Sequence, residues 1–203
     1  MMPYLSWKKR VSELSLSQLQ KDEREAPKND FHAQNTQQVV SYKNLTFDTV
    51  CPQAKGFQVM NHGRTIMNLQ SSAFAEIPFS QFIPSSGIIK LSVKLESLSR
   101  DMWLGVRPAL FLDEKDWYRS TTFYELGDGS IRVNNSVVNK VMTPNFAPPQ
   151  VGDIVSLVVN ADLGQMYFYV NEVRRNWINF DFKASKYLPY FGFYPSGGKI
   201  SIA

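Results

Sequence analysis

Between Gly87 and Glu96 apolar and polar side chains alternate without a break. Ile89, Leu91, Val93 and Leu95 fall on one side of an extended chain, and Lys90, Ser92, Lys94 and Glu96 on the other. A helix would scatter these residues around its circumference, so the pattern fits a strand with one buried and one wet face. Antiparallel sheets have that property. A period of two recurs from Val39 onward. Asp153–Asn160 and Gln165–Asn171 are expected to pair through Ala161-Asp162-Leu163-Gly164, whose Asp and Gly suit a tight hairpin. Further strands are expected at Leu45–Val50, Phe57–Asn61, Ala73–Phe79, Met102–Arg107, Thr121–Leu126, Ser130–Val133, Tyr190–Tyr194 and Lys199–Ile202. Turn signals separate them: Asn61-His62-Gly63, Pro84-Ser85-Ser86-Gly87, Gly127-Asp128-Gly129, Gly152-Asp153 and Pro195–Gly198. Many short strands at such spacing predict an all-β fold, a two-sheet antiparallel β-sandwich.

The chain has 203 residues, of which 43% are hydrophobic and 20% charged, enough to close one sizeable core and too apolar for disorder. The helical period is confined to the start. Trp7, Val11 and Leu14 fall at i, i+4 and i+7, with Leu16 and Leu19 beside them, between Pro3 and Pro27. A short helix is therefore expected over Tyr4–Glu25, followed by a polar linker over Lys28–Gln38. The division expected is residues 1–40 as N-terminal helix and linker, and 41–203 as the sandwich. The apolar stripe has two readings, a helix docked on its own domain or one offered to a partner or a membrane surface by its basic end, Lys8-Lys9-Arg10.

Charge and motifs exclude several chemistries. Twenty-two Lys and Arg against 18 Asp and Glu leave a net charge of +4, and the basic residues are scattered, which argues against a nucleic-acid surface. No signal-peptide core and no apolar run of membrane-spanning length occurs, so a soluble, cytoplasmic protein without a transmembrane segment is expected. The single cysteine, Cys51, cannot form an internal disulfide. The two histidines, His32 and His62, have no Cys or second His at ligand spacing, so neither a metal site nor a catalytic histidine is expected. Phe193–Lys199 glances at a phosphate loop but has Phe193 where glycine is required and Ile200 where Ser or Thr is required. Asp113-Glu114-Lys115-Asp116 lacks the glycine and distal glutamate of a calcium loop. Catalytic residues, metal and cofactor are all expected to be absent.

From Leu45 to Ala203, about four-fifths of the chain, an ordered set of anchors resembles the SPRY domain family. Leu45-Thr46-Phe47-Asp48 resembles the family's early Phe-Asp pair, and Ser85-Ser86-Gly87 its Ser-Gly before an alternating strand. Met102-Trp103-Leu104-Gly105-Val106 is similar to its Trp-x-Gly-Val strand, and Val151-Gly152-Asp153-Ile154-Val155 to its Gly-Asp-x-Val step. Asp162–Asn171 resembles its Asp…Gly…Phe…Asn-Gly hairpin, and Leu188-Pro189-Tyr190-Phe191 its closing Leu-x-Pro segment. Two departures mark a divergent member: Asn171-Glu172 replaces Asn-Gly, and Ile88-Ile89-Lys90 replaces Tyr-Trp-Glu.

The resemblance implies a concanavalin-like sandwich without catalytic residues that binds a short segment of a partner protein through loops at one edge. An adaptor or recruitment subunit would be built this way. The matching loops are Asn68–Ser72, Asp113–Tyr118 with the strand that follows, and Pro195–Gly198. The partner-binding residues implied are Gln70, Ser71, Arg107, Trp117, Tyr118, Arg119, Tyr124, Tyr194, Ser196 and Gly197. The aromatic ones suit anchors of low entropic cost and the arginines forked donors. Trp103 is assigned to the core. The alternative is a carbohydrate-binding, lectin-like module, in which Trp117 stacks on a sugar beside Asp113 and Asp116.

Overall fold

The computed structural model describes residues 39–42, 44–70, 74–109, 121–134, 136–139, 147–182 and 184–203. The helix expected over Tyr4–Glu25 and the linker that follows lie outside the described residues. Those residues form fourteen strands: β1 (Val39–Ser41), β2 (Phe57–Met60), β3 (Thr65–Asn68), β4 (Ala75–Pro78), β5 (Ile88–Ser97), β6 (Asp101–Pro108), β7 (Thr122–Glu125), β8 (Ile131–Val133), β9 (Ser136–Asn139), β10 (Ile154–Asn160), β11 (Gln165–Val170), β12 (Val173–Asn179), β13 (Tyr187–Tyr194) and β14 (Lys199–Ile202). A 3-10 turn, Pro52–Gly56, precedes β2.

They make two sheets. The larger runs β12-β11-β10-β5-β14-β3-β2, with β1 also paired to β5; the smaller runs β4-β13-β6-β7-β8-β9. All the pairings are antiparallel except β1 on β5, where Val39 faces Ile88. β5 is the centre of the larger sheet: β10 covers one edge, while β14 and β1 share the other in successive stretches.

The alternation seen in the sequence sets the layers. Ile89, Leu91, Val93 and Leu95 are all buried, and they pack with Met102, Leu104 and Val106 of β6 and Phe191 and Phe193 of β13 in one core between the sheets. On the other face of β5, Ser92 and Ser156 exchange a hydroxyl hydrogen bond at 2.8 Å. The hairpin after Asn160 forms as expected, with Leu163 N–H donating to Asn160 Oδ1 and Gly164 at φ +65°.

Leu45–Val50 is not a strand. Leu45 and Phe47 are buried as their alternation implies, but only Phe47 makes a bridge, to Phe79. The backbone there bonds in two directions, Phe47 N–H to Gly63 O on one side, and on the other Asp48 N–H to Pro78 O and Ser80 N–H to Thr46 O about the single bridge, so no ladder develops. Trp103 is buried, yet it does not lie between the sheets. With Phe123 and Tyr190 it forms a second cluster on the far face of the smaller sheet. Strict alternation on β6 requires this once Met102 and Leu104 point inward.

Candidate partner-binding edge

Strand registers place the far face of the smaller sheet residue by residue. Tyr194 lies opposite Asp101, Gly192 opposite Trp103, and Tyr190 opposite Gly105. Continuing across β7, Trp103 lies opposite Glu125 and Gly105 opposite Phe123. The two glycines leave room for the rings beside them. A Cβ on Gly192 would sit 2.0 Å from the Trp103 indole, and one on Gly105 2.6 Å from Phe123 Cβ. The indole lying over Gly192 donates its Nε1–H to Glu76 Oε1 at 3.0 Å.

Glu76 also faces Arg107, whose Nη1 is 3.3 Å from Oε2, with both side chains almost fully buried. Burial pushes the Glu76 carboxyl up to about 8, because it outweighs the attraction of Arg107 and the bond from Trp103. Burial likewise raises Glu125 to about 7; Arg132 opposes that shift, and Asp101 and Asp128 add to it.

At the Tyr194 end of this face three loops are tied together, two of them by one buried amide and the third by two hydroxyls. Asn68 Nδ2 donates to Pro195 O at 2.8 Å, Asn68 N–H to Gly198 O, and Gly197 N–H to Asn68 O. Its Oδ1 accepts Gln70 N–H at 2.9 Å. From the third loop, Ser97 Oγ donates to Gly197 O and Ser99 Oγ to Pro195 O. Gly197 has φ +94°, and Gly198 passes so close to the Phe193 ring that a Cβ would sit 2.4 Å from it. The loop is therefore shaped by the backbone its glycines permit. It holds Tyr194 half-exposed against the Trp103–Phe123–Tyr190 cluster. Phe74, 57% exposed, stacks on Tyr194 with ring centroids 4.6 Å apart.

The residues expected to form the site divide accordingly. Gln70, Tyr194, Ser196 and Gly197 come together at this end, with Ser196 and Gly197 exposed. Ser71, Trp117, Tyr118 and Arg119 lie outside the described residues. The strand ends flanking the 110–120 segment, Pro108 and Thr122, sit at the opposite end of β6 from Asp101, roughly 23 Å away at the rise of a strand. The registers therefore do not bring those flanks to the Tyr194 edge. Arg107 and Tyr124 are corrections. Arg107 is 2% exposed because it is the charge partner of buried Glu76. Tyr124 is fully buried in the inter-sheet core, stacked on Phe168 at 5.1 Å.

Phe74 was not anticipated, and Asn68, the first residue of the expected loop Asn68–Ser72, was not among the residues expected to bind. Phe74 belongs to the stretch expected as strand Ala73–Phe79, where an aromatic reads as core. Its only signal is that it shares the face of Glu76 rather than that of Ala75 and Ile77. Exposed His62 occupies the turn after β2 at φ +53°. Among the described residues no three His, Cys, Asp or Glu side chains gather as metal ligands, and no helix is long and apolar enough to cross a membrane.

No protein-family model matches the sequence, and no curated protein matches it. Solved structures do resemble the fold. The SPRY domain of human HERC1 superposes with a TM-score of 0.60 at 18% identity, covering 77% of this chain and 96% of that one. The PSpry domain of TRIM65 gives 0.61 at 18% identity, over 80% of this chain and 93% of that one. Stonustoxin gives 0.55 at 14% identity, over 80% of this chain and 29% of the toxin chain. With this likeness and the two antiparallel sheets described above, the chain carries the SPRY fold.

Proposed function

We propose that the sandwich is a non-enzymatic protein-interaction module that binds a short segment of a partner through the Tyr194 edge, as an adaptor or recruitment subunit does. The observation that carries this reading is the exposed Phe74–Tyr194 stack, seated on a buried aromatic cluster and framed by loops fixed through Asn68. Aromatic rings held rigid before binding lose little conformational freedom on contact, which is the property of interface anchors. Gln70, Ser196 and Gly197 add amide, hydroxyl and backbone groups around the rings. The likeness to SPRY domains supports the same reading.

A quantitative pull-down tests it. Truncating an anchor to alanine typically costs about 2 kcal/mol, or about a thirtyfold loss of affinity. The double variant Phe74→Ala, Tyr194→Ala is expected to lose a partner that the wild type captures, while melting within a few degrees of it. Undiminished capture by the folded variant would place the interface elsewhere. Wild-type binding to a glycan array, with no protein captured, would favour the carbohydrate-binding alternative.

A further inference from the structure

The charges around the ring stack bear on what the partner presents, and this inference rests on the reading of the Tyr194 edge as a peptide-binding surface. Asp101, directly across the strand pair from Tyr194, has a side chain 43% exposed. In the next row Glu125 adjoins Trp103, and the turn after β7 carries Asp128 with a side chain 41% exposed. The described residues of the loops at this end of the smaller sheet, 68–70, 74, 97–101, 125–130 and 194–198, contain the part-exposed acids Asp101 and Asp128 and the part-buried Glu125 against Arg100 alone. That excess of acid stands out in a chain whose net charge is +4. Arg132, just beyond, is engaged by Asp128 at 3.5 Å. Asp101 is already within reach of a guanidinium: Arg100 Nε lies 3.9 Å from its Oδ2, on a side chain 78% exposed.

We propose that the partner segment lays an arginine side chain over the Phe74–Tyr194 ring stack, with Asp101 as its counter-ion. A planar guanidinium stacks on aromatic faces and offers a carboxylate a fork of two N–H donors. Lysine would keep the charge but lose the fork and the stacking. An acidic segment would meet like charge from Asp101 and Asp128 on the β6–β7 side of the rings. Arg100 competes in cis for the same carboxylate, and the exposed, weak geometry of that pair makes it displaceable.

The test begins with random linear peptides displayed on phage and selected on the full chain. Enriched sequences are expected to share an arginine. For a synthetic peptide of the most enriched sequence, Asp101→Asn should weaken binding about tenfold without changing the melting temperature. Arg100→Ala should tighten it two- to threefold. Replacing the peptide's arginine by lysine should weaken it. Enrichment of peptides without arginine, or unaltered affinity in Asp101→Asn, overturns the arginine assignment and leaves peptide binding at this edge standing. Failure to select any peptide whose binding depends on Phe74 and Tyr194 overturns both readings at once.

Discussion

The candidate edge depends on where single side chains are absent. Gly192 is the floor on which the Trp103 indole lies, and through that indole the buried Glu76 obtains a hydrogen-bond donor. A methyl group at Gly192 would displace the ring, since its Cβ falls 2.0 Å from Cε2. Overpacking of a buried ring typically costs about 1–3 kcal/mol. Gly192→Ala is therefore expected to lower stability by about that amount in denaturant titrations. It should also weaken capture of a partner, because Tyr194 packs on the displaced cluster. Wild-type stability in this variant would mean the ring moves freely, and the preformed platform would lose its support. None of this was legible in the sequence. Gly192 sits in a run of aromatics, Tyr190-Phe191-Gly192-Phe193-Tyr194, and nothing local says which neighbouring strand supplies the ring that needs its space. Arg107 and Tyr124 failed for a related reason. A forked donor and an amphipathic ring suit an interface as well as a buried pair or a core, and only the third dimension chooses between them.

Among the elements, β5 bears the most consequence. It pairs with β10, β14 and β1, and its inward residues meet both β6 and β13 in the core. Leu91 is 2% exposed at its middle. Leu91→Asp would bury an unpaired carboxylate, a cost of several kcal/mol against a typical stability of about 5–15 kcal/mol. That variant should show no cooperative melt by circular dichroism; a wild-type melt would contradict the packing described. β5 was the plainest strand in the sequence because it is long and wet on one face. The elements that escaped are those in which that pattern breaks. In β12 a register shift opposite Phe168/Tyr169 passes over Arg175, so Val-Arg-Arg-Asn-Trp-Ile-Asn loses its period of two. Asn176 then turns inward, and its amide donates to Gly129 O. β3, Thr-Ile-Met-Asn, buries polar residues at both ends, Thr65 and Asn68. β9 is four residues long, with Val137 and Val138 both exposed, and so shows no buried face to read.

For the molecule as a whole, buried and exposed carboxyls act on stability in opposite directions as pH changes. Burial raises Glu76 from an ordinary 4.5 to about 8, and Glu125 from 4.5 to about 7. In the folded state each holds a proton that the unfolded chain has already released between those values. The stability they allow is fully present below about 4.5 and is lost as pH rises through 7 and 8. Glu96 and Asp153 behave in the contrary sense. A hydrogen bond from Ser201 Oγ lowers Glu96, and those from Gln150 N–H and Asn171 Nδ2 lower Asp153. Their contributions are present above the ordinary carboxyl range and are lost as pH falls through it. Together the two sets predict a stability maximum at mildly acidic pH. The melting temperature should peak near about pH 5 and decline from there towards pH 8. Glu76→Gln keeps an acceptor for the Trp103 Nε1–H but cannot ionise. It should flatten the decline above pH 6, even if the loss of Arg107's partner lowers the curve as a whole. Asp153→Asn should leave that decline intact and flatten the acid limb instead. A wild-type melting temperature that climbs steadily from pH 5 to pH 8 would show that Arg107 holds Glu76 ionised throughout, and that the far face of the smaller sheet carries a permanent buried ion pair.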